Sequence, residues 1–552
     1  MKILAASIGN CVHTAGVQAF LDIASTLGID TVFLGPAVPI KRLVTAIAEH
    51  NPEIVAVSYR LSPENAKALF VELKGEISRN PSIGKRRFFC GGTRPVVELA
   101  RKSGLFEECF DGTEPEGYVS SVLKGKPVAE KKQAPPGDLV ARIESSYPLP
   151  LIRHHFGLST LDDTIAGASE IAESGLVDIL SIAPDQNAQE SFFRPSEMDP
   201  RLDGSGGVPV RKPDDFRALL SATRVGNNPL LRCYSGTRDL IKWAEMLKDT
   251  INIAWGAVPL TWYSELDVRS HRKLLDAVSE NQQAIKWYAD HGIPVEVNES
   301  HQWALRRSGD VVELTTAYLA AHNAKAFGVK NYVCQFMFDT PRGVSPAMDA
   351  AKMLAKLDLV SSLETESFRV IRMVRSGLNS LSISSDIAKG QMAASVFSAM
   401  ALKPHIVHVV GFSEADHAAL PGEVIESCAI ARGAISKAML GQIAPESDPR
   451  VVERKANLLN ETKFLLDAIK RLNGTGPKDP FTSPEVIAEA VKEGLLDASD
   501  LRGSSVARGR IVTAIVDGIC VAVNPSTGKP ITEKERIHEL AVSEHDLDLA
   551  EM

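Results

Sequence analysis

From residue 148 the sequence repeats one figure about eight times: a short apolar run, then a stretch whose apolar residues recur at helical spacing. The runs fall at 150–155, 177–183, 230–234, 252–260, 295–298, 331–338, 368–374 and 406–410, with helical patterns between them. Strands separated by helices pair in parallel, because a crossover helix returns the chain to the same edge. Eight such units suit a (β/α)8 (TIM) barrel, expected here over 150–475. In that architecture the side chains at the C-terminal strand ends meet around one mouth, and chemistry is expected there.

The expected strand ends are unusually polar. They carry Arg153-His154-His155, Asp185-Gln186-Asn187, Arg232 with Tyr234, Thr261-Trp262-Tyr263, Asn298-Glu299-Ser300-His301, Arg375, and Glu414 with Asp416 and His417. Several arginines and aromatics on one rim suit a small anionic substrate, since a guanidinium grips a carboxylate through two parallel hydrogen bonds. A solvated rim of salt bridges is the plainer alternative. His405 and His408 fall on opposite faces of their strand, which disfavours joint ligation of a metal.

The first 125 residues beat the same way on a smaller scale, with apolar runs at 2–7, 30–35, 54–59, 87–90 and 107–111. They imply a doubly wound parallel sheet with helices on both faces, over 1–125. Three strand ends carry unusual residues: Cys11-Val12-His13 with Gly16, Ser58-Tyr59-Arg60, and Gly91-Gly92-Thr93. Ligands of open α/β sheets bind at such ends, and paired glycines let the backbone approach one closely. At 552 residues the chain is long enough for several domains. Its net charge of -8 argues against general binding to nucleic acid or membrane surfaces. No apolar run approaches the roughly 20 residues of a membrane span, and no signal peptide is expected. Seven cysteines without a CxxC pair suit a reducing cytoplasm.

The three strand ends together resemble the cobalamin-binding domain of the mutases and of methionine synthase, a flavodoxin-like fold. That family carries Asp-x-His-x-x-Gly after strand one, Ser-x-Leu after strand three and Gly-Gly after strand four. His13 and Gly16 fit the first motif, Ser58 the second, and Gly91 and Gly92 the third. The resemblance implies that His13 is the lower axial ligand of cobalt and that the cofactor's tail threads past Ser58, Gly91, Gly92 and Thr93. The family's Asp falls on Cys11, whose thiol would accept the second ring N–H only weakly. The family's Leu falls on Arg60.

Residues 126–149 are rich in Lys, Pro and Gly and read as an interdomain linker. Residues 476–552 read as a small α+β appendage: a helix near 484–493, then a hairpin of 510–516 and 518–523 with 524–530 as its closing turn. The acidic end, 543–552, is expected to fray. Residues 150–540 are similar, more distantly, to the large (epsilon) subunit of glutamate mutase (methylaspartate mutase). That resemblance implies Arg153 and Arg232 on substrate carboxylates, Tyr263 in the substrate site and Glu414 on an adenosyl group. The family's third arginine falls near Ala188 and its base near Ala254-Trp255, so neither is kept. Glu299 and His301 complete the expected catalytic set.

The implied function is an adenosylcobalamin-dependent carbon-skeleton mutase, an isomerase acting on a small carboxylate or acyl substrate. It is expected as a homodimer, with no nucleic-acid or membrane partner. Adenosylcobalamin is favoured over methylcobalamin. The alternatives are a corrinoid methyltransferase and a non-catalytic cobalamin carrier or sensor. The polar-rimmed barrel counts against the carrier, and the upper ligand of cobalt separates the two enzymes.

Overall fold

The computed structural model of the chain describes residues 1–114, 118–124, 135–267, 270–472 and 479–540. Two compact units divide it, Met1–Gln133 and Ala134–Met552. The first alternates β1 (Lys2–Ser7), α1 (Ala15–Thr26), β2 (Asp30–Phe33), α2 (Ile40–His50), β3 (Ile54–Tyr59), α3 (Pro63–Arg79), β4 (Arg87–Gly92), α4 (Arg94–Ser103), β5 (Glu108–Phe110) and α5 (Tyr118–Leu123). The strands are all parallel, in the order β2-β1-β3-β4-β5. Successive strand residues face opposite sides. Ile3 and Ala5 therefore pack with α1 and α5, while Leu4 and Ala6 pack with α2, α3 and α4. The order reverses between β1 and β3, which opens a crevice beyond their C-terminal ends.

The second unit is built on eight parallel strands: β6 (Leu151–Phe156), β7 (Ile179–Ile182), β8 (Leu230–Cys233), β9 (Gly256–Val258), β10 (Val295–Val297), β11 (Asn331–Phe338), β12 (Arg369–Ser376) and β13 (Ile406–His408). They pair in the order β8-β7-β6-β13-β12-β11-β10-β9, a nearly closed barrel. At the seam, Ala254 N donates to Leu231 O at 2.8 Å. No helix among the described residues is long and apolar enough to cross a membrane.

Part of the expected linker is structured. Residues 125–134 lie outside the described residues, but α6 (Leu139–Ser146) follows, with Asp138 capping it through the Ala141 N–H. Leu139 and Ile143 are buried in one cluster with Leu151, Ile179, Ala254, Trp255, Val333, Ile371 and Ile406. Those partners lie at or near the N-terminal ends of barrel strands, so α6 plugs the bottom of the barrel. Its apolar positions are few, and in a Lys/Pro/Gly-rich setting their helical spacing is easily lost.

The appendage holds the helix Pro484–Lys492 and the hairpin β14 (Thr513–Val516) and β15 (Ile519–Ala522). Its turn is Asp517-Gly518, both at positive φ, and not residues 524–530, which follow the hairpin. Two residues of that kind match the twist of paired strands, which a longer loop does not need to do. The expected frayed end, 543–552, lies outside the described residues.

Behind β10 and β11 sits a buried ionic cluster on the helices Asp310–Ala326 and Pro346–Ser361. Lys352 lies 3.0 Å from Glu313, 3.3 Å from Asp349 and 3.8 Å from Asp310. Lys356 lies 3.6 Å from Glu313 and donates to Ser300 Oγ at 2.6 Å. Arg454 reaches Asp310 at 2.8 Å. Burial works against the Lys352 charge, but the surrounding carboxylates outweigh it and raise its pKa. Burial pushes the Asp349 carboxyl up to about 7 against the pull of Lys352.

Candidate functional site

Two sites stand at C-terminal strand ends, one in each unit. In the first unit, the loop after β1 is pinned at several points. Gly9 has φ +66, and a Cβ there would come within 2.5 Å of Leu69. Ser7 Oγ donates to His13 O at 2.8 Å, and Tyr59 OH donates to Asn10 Oδ1 at 3.0 Å. His13 itself is exposed. Cys11 is buried beneath it, with its Sγ 3.9 Å from His13 Nδ1. The structure thus puts a thiol beside the imidazole nitrogen that faces the protein.

A cleft of about 560 Å³ runs between α1 and the ends of β3 and β4. Gly16, Ser58, Gly91, Gly92 and Thr93 all line it, as does Arg60. Gly92 has no alternative, because a Cβ there would meet Tyr59 O at 2.5 Å. Gly16 has nothing within 4 Å of its Cβ position, so its side of the cleft is open. His13 and Cys11 do not line the cleft; they belong to the loop just before α1.

In the second unit a cavity of about 330 Å³ lies at the barrel mouth. Arg153, Arg232, Tyr263, His301 and Glu414 line it, with His155, Tyr234, Glu296, Arg375 and His408. The two expected carboxylate arginines differ in what they have left to give. Arg153 Nε donates to Ser181 Oγ at 2.8 Å, Nη1 to Met373 Sδ at 3.0 Å and Nη2 to His155 Nε2 at 3.1 Å. Arg232 Nη2 donates to Glu296 Oε2 at 3.0 Å, while its Nε and Nη1 have no partner. Burial and Arg232 lower the Arg153 pKa to about 9, which still leaves it charged. The geometry separates the pair: Arg153 braces the wall, and Arg232 keeps two nitrogens free to donate.

Glu299 also departs from its expected role. It does not line the cavity; its oxygens accept from Leu260 N, Thr261 N, Thr261 Oγ1 and Trp303 Nε1. A carboxylate with four donors holds the β9 and β10 loops together and has little capacity for proton transfer. Asp185 is likewise taken up, by Arg211 at 2.6 and 3.0 Å. Tyr263 sits in the left-handed region at φ +59, and its carbonyl accepts from Arg272 at 2.8 Å. Glu414 is exposed at the mouth.

The sequence reading missed Glu296. It is buried between Val295 and Val297, and its Oε2 also accepts from Trp255 Nε1 at 2.8 Å and lies 3.7 Å from Arg153. Val-Glu-Val reads as plain strand alternation with its polar residue in solvent, but in a helix-wrapped barrel both faces of a strand are buried and alternate residues point into the interior. A charged residue within such a strand is the signal that could have found it.

Four imidazoles around the cavity are held neutral. Burial pushes His154 down to about 4. Burial, with Arg153 and its neighbours, holds His155 and His408 well below the usual range; for His301 the second cause is Arg375. Unfolded, each would take up a proton near pH 6.5. Stability is therefore full above pH 6.5 and is lost as pH falls, by about 3 kcal/mol for His154 alone near pH 4. All five tryptophans (Trp243, Trp255, Trp262, Trp287, Trp303) lie in the second unit. Urea melts followed by tryptophan fluorescence should show the barrel several kcal/mol weaker at pH 5 than at pH 7.5; equal stability would refute the buried neutral imidazoles.

No family model matches the chain. Among curated proteins, D-ornithine 4,5-aminomutase subunit beta of Acetoanaerobium sticklandii is 28% identical over 110 residues, 19% of this chain and 15% of that protein. The chain thus matches only a small part of this relative. Among solved structures, a cobalamin-binding protein from Desulfitobacterium hafniense aligns at 24% identity over 22% of this chain and 56% of its own, with a TM-score of 0.20. A Rubisco-like protein from Rhodopseudomonas palustris aligns at 13% identity over 56% of this chain and 70% of its own, with a TM-score of 0.32.

Proposed function

We propose that the chain is an adenosylcobalamin-dependent carbon-skeleton mutase, with the cofactor held by the first unit and a small carboxylate or acyl substrate in the barrel. The observation that carries this reading is the cleft beside α1, which five of the cofactor-motif residues line together: Gly16, Ser58, Gly91, Gly92 and Thr93. The 28% identity to an aminomutase subunit agrees with it.

The residues present fit the group. The cleft, of about 560 Å³, is open at Gly16, which leaves room for a nucleotide tail. His13 is exposed and, with Cys11 at its Nδ1, keeps Nε2 for cobalt. Bound adenosylcobalamin supplies a carbon radical by homolysis of its cobalt–carbon bond. The chain's own residues supply the rest. Arg232 turns its two free nitrogens to the substrate carboxylate, and Glu296, Arg153 and Trp255 fix that guanidinium in place. The buried walls keep water from a reactive intermediate, and the neutral imidazoles around them do not protonate one. On this reading Glu414, which lines the barrel mouth, would accept ribose hydroxyls of the adenosyl group.

Two experiments test the reading. Adenosylcobalamin should bind the full-length chain more tightly than methylcobalamin, and Glu414→Ala should erase most of that difference. Equal affinity for both cofactors, or methyl transfer to a thiol or amine, would favour the methyltransferase instead. Electron paramagnetic resonance of the chain loaded with cob(II)alamin should carry nitrogen coupling that His13→Ala removes. A spectrum indifferent to that substitution takes His13 off the metal.

A further inference from the structure

The barrel cavity has more unmet hydrogen-bonding capacity than one carboxylate can use. Besides Arg232 Nε and Nη1, no partner meets His155 Nδ1, either nitrogen of His408, or Gln335 Nε2. His408 is 1% exposed and Gln335 6%, so solvent does not meet these needs. A buried polar atom left unpaired is costly, and a set of them around one cavity points to a ligand.

The neighbours of His155 fix its tautomer. Its Nε2 lies 3.1 Å from Arg153 Nη2 and 2.9 Å from the Tyr234 hydroxyl. An arginine nitrogen can only donate, so Nε2 is the acceptor and the neutral ring carries its proton on Nδ1. His155 therefore offers one N–H that no protein group takes. His408 stands on the adjoining strand with its ring centroid 4.4 Å away and offers one donor and one acceptor. A hydroxyl or carbonyl oxygen suits such a pair.

The cavity has little for an ammonium group. Its charged lining is Arg153, Arg232, Arg375, Glu296 and Glu414. Glu296 is already matched by Arg232 at 3.0 Å and Arg153 at 3.7 Å. Glu414 is exposed at the mouth. An ammonium inside would enter the field of three guanidiniums, with Glu414 at the mouth the one lining carboxylate not already matched.

We propose that the barrel takes a small carboxylate bearing a neutral oxygen, a hydroxy or oxo acid and not an amino acid, with Arg232 on the carboxylate and His155 and His408 on the neutral oxygen. This rests on the cavity being the substrate site of the mutase proposed above, but its test involves no corrinoid. The probes are three diacids of one chain length, 2-hydroxyglutarate, glutamate and glutarate, titrated calorimetrically into the full-length chain; the second carboxylate has Arg375 to meet.

2-Hydroxyglutarate should bind at least about tenfold more tightly than glutamate. His408→Phe should bring it down to the affinity of glutarate, and His408→Asn, which keeps a hydrogen-bonding group, should restore part of the difference. Arg232→Gln should weaken all three. Glutamate binding as tightly as the hydroxy acid overturns the proposal. So does a hydroxyl preference that survives His408→Phe, and so does the absence of binding by any of the three at millimolar concentration. Loss of the corrinoid reading would appear separately, in the His13 spectrum, while the diacid preference stood.

Discussion

Arg232→Lys should lower kcat/KM of the proposed isomerisation by about 10²-fold or more while leaving the barrel folded. The guanidinium enters the cavity with two nitrogens unpartnered and a third tied to Glu296 at 3.0 Å. An ammonium has a single nitrogen and cannot hold Glu296 and the substrate with the separate donors that the planar guanidinium spreads between them. Arg153→Lys should behave differently, because each of its nitrogens already has a protein partner. Its loss should appear first as a lower unfolding free energy, with the tryptophan signal as readout, and in turnover only through the shifted wall. Full activity in Arg232→Lys would remove that residue from the substrate. Equal stability losses in the two variants would undo the division of labour between them.

Lys352→Met should destabilise the barrel by about 3–5 kcal/mol, the usual cost of removing one partner from a buried ion pair. Lys352 is 1% exposed and faces Glu313, Asp349 and Asp310, so its removal leaves Asp349 buried without a cation, while Glu313 keeps Lys356 and Asp310 keeps Arg454. Adding Asp349→Asn should recover part of the loss, since it takes away the stranded charge. Urea melts of both variants at pH 7.5 measure this, and a loss under about 1 kcal/mol would mean that the cluster is solvated or already neutral. The same cluster touches the site, because Lys356 holds Ser300, the residue before His301.

Much of the fold was legible because it is carried by local pattern. The eight barrel strands and the five of the first unit all stand where apolar runs lie between helical spacings. The short motifs after β1, β3 and β4 could be read too, since a glycine pair and a loop histidine need no distant partner to be noticed. What could not be read is what depends on the far side of a closed barrel. Glu299 stands at a polar strand end like its neighbours, and nothing local says that two backbone N–H groups from residues 260 and 261 will consume it. Glu296 sits in an ordinary-looking strand and becomes notable only when β8 brings Arg232 to 3.0 Å. The difference between Arg153 and Arg232 is of the same kind: identical side chains, separated by the partners that other strands supply. The opposite faces expected for His405 and His408 are legible from strand alternation, but not their partners: His408 stands against His155, while His405 accepts from the Arg372 N–H.

Helix α6 decides where this chain can be divided. Because Leu139 and Ile143 fill the floor of the barrel, the second unit begins before its first strand. A fragment starting at Pro150 would be a vessel without a base, with Trp255 and the aliphatic side chains around it opened to water. One starting at Ala134 would keep its stopper. The boundary between the two modules is thus set by a helix that the strand count alone would assign to neither, and any fusion, swap or separate expression of the halves has to carry it with the barrel.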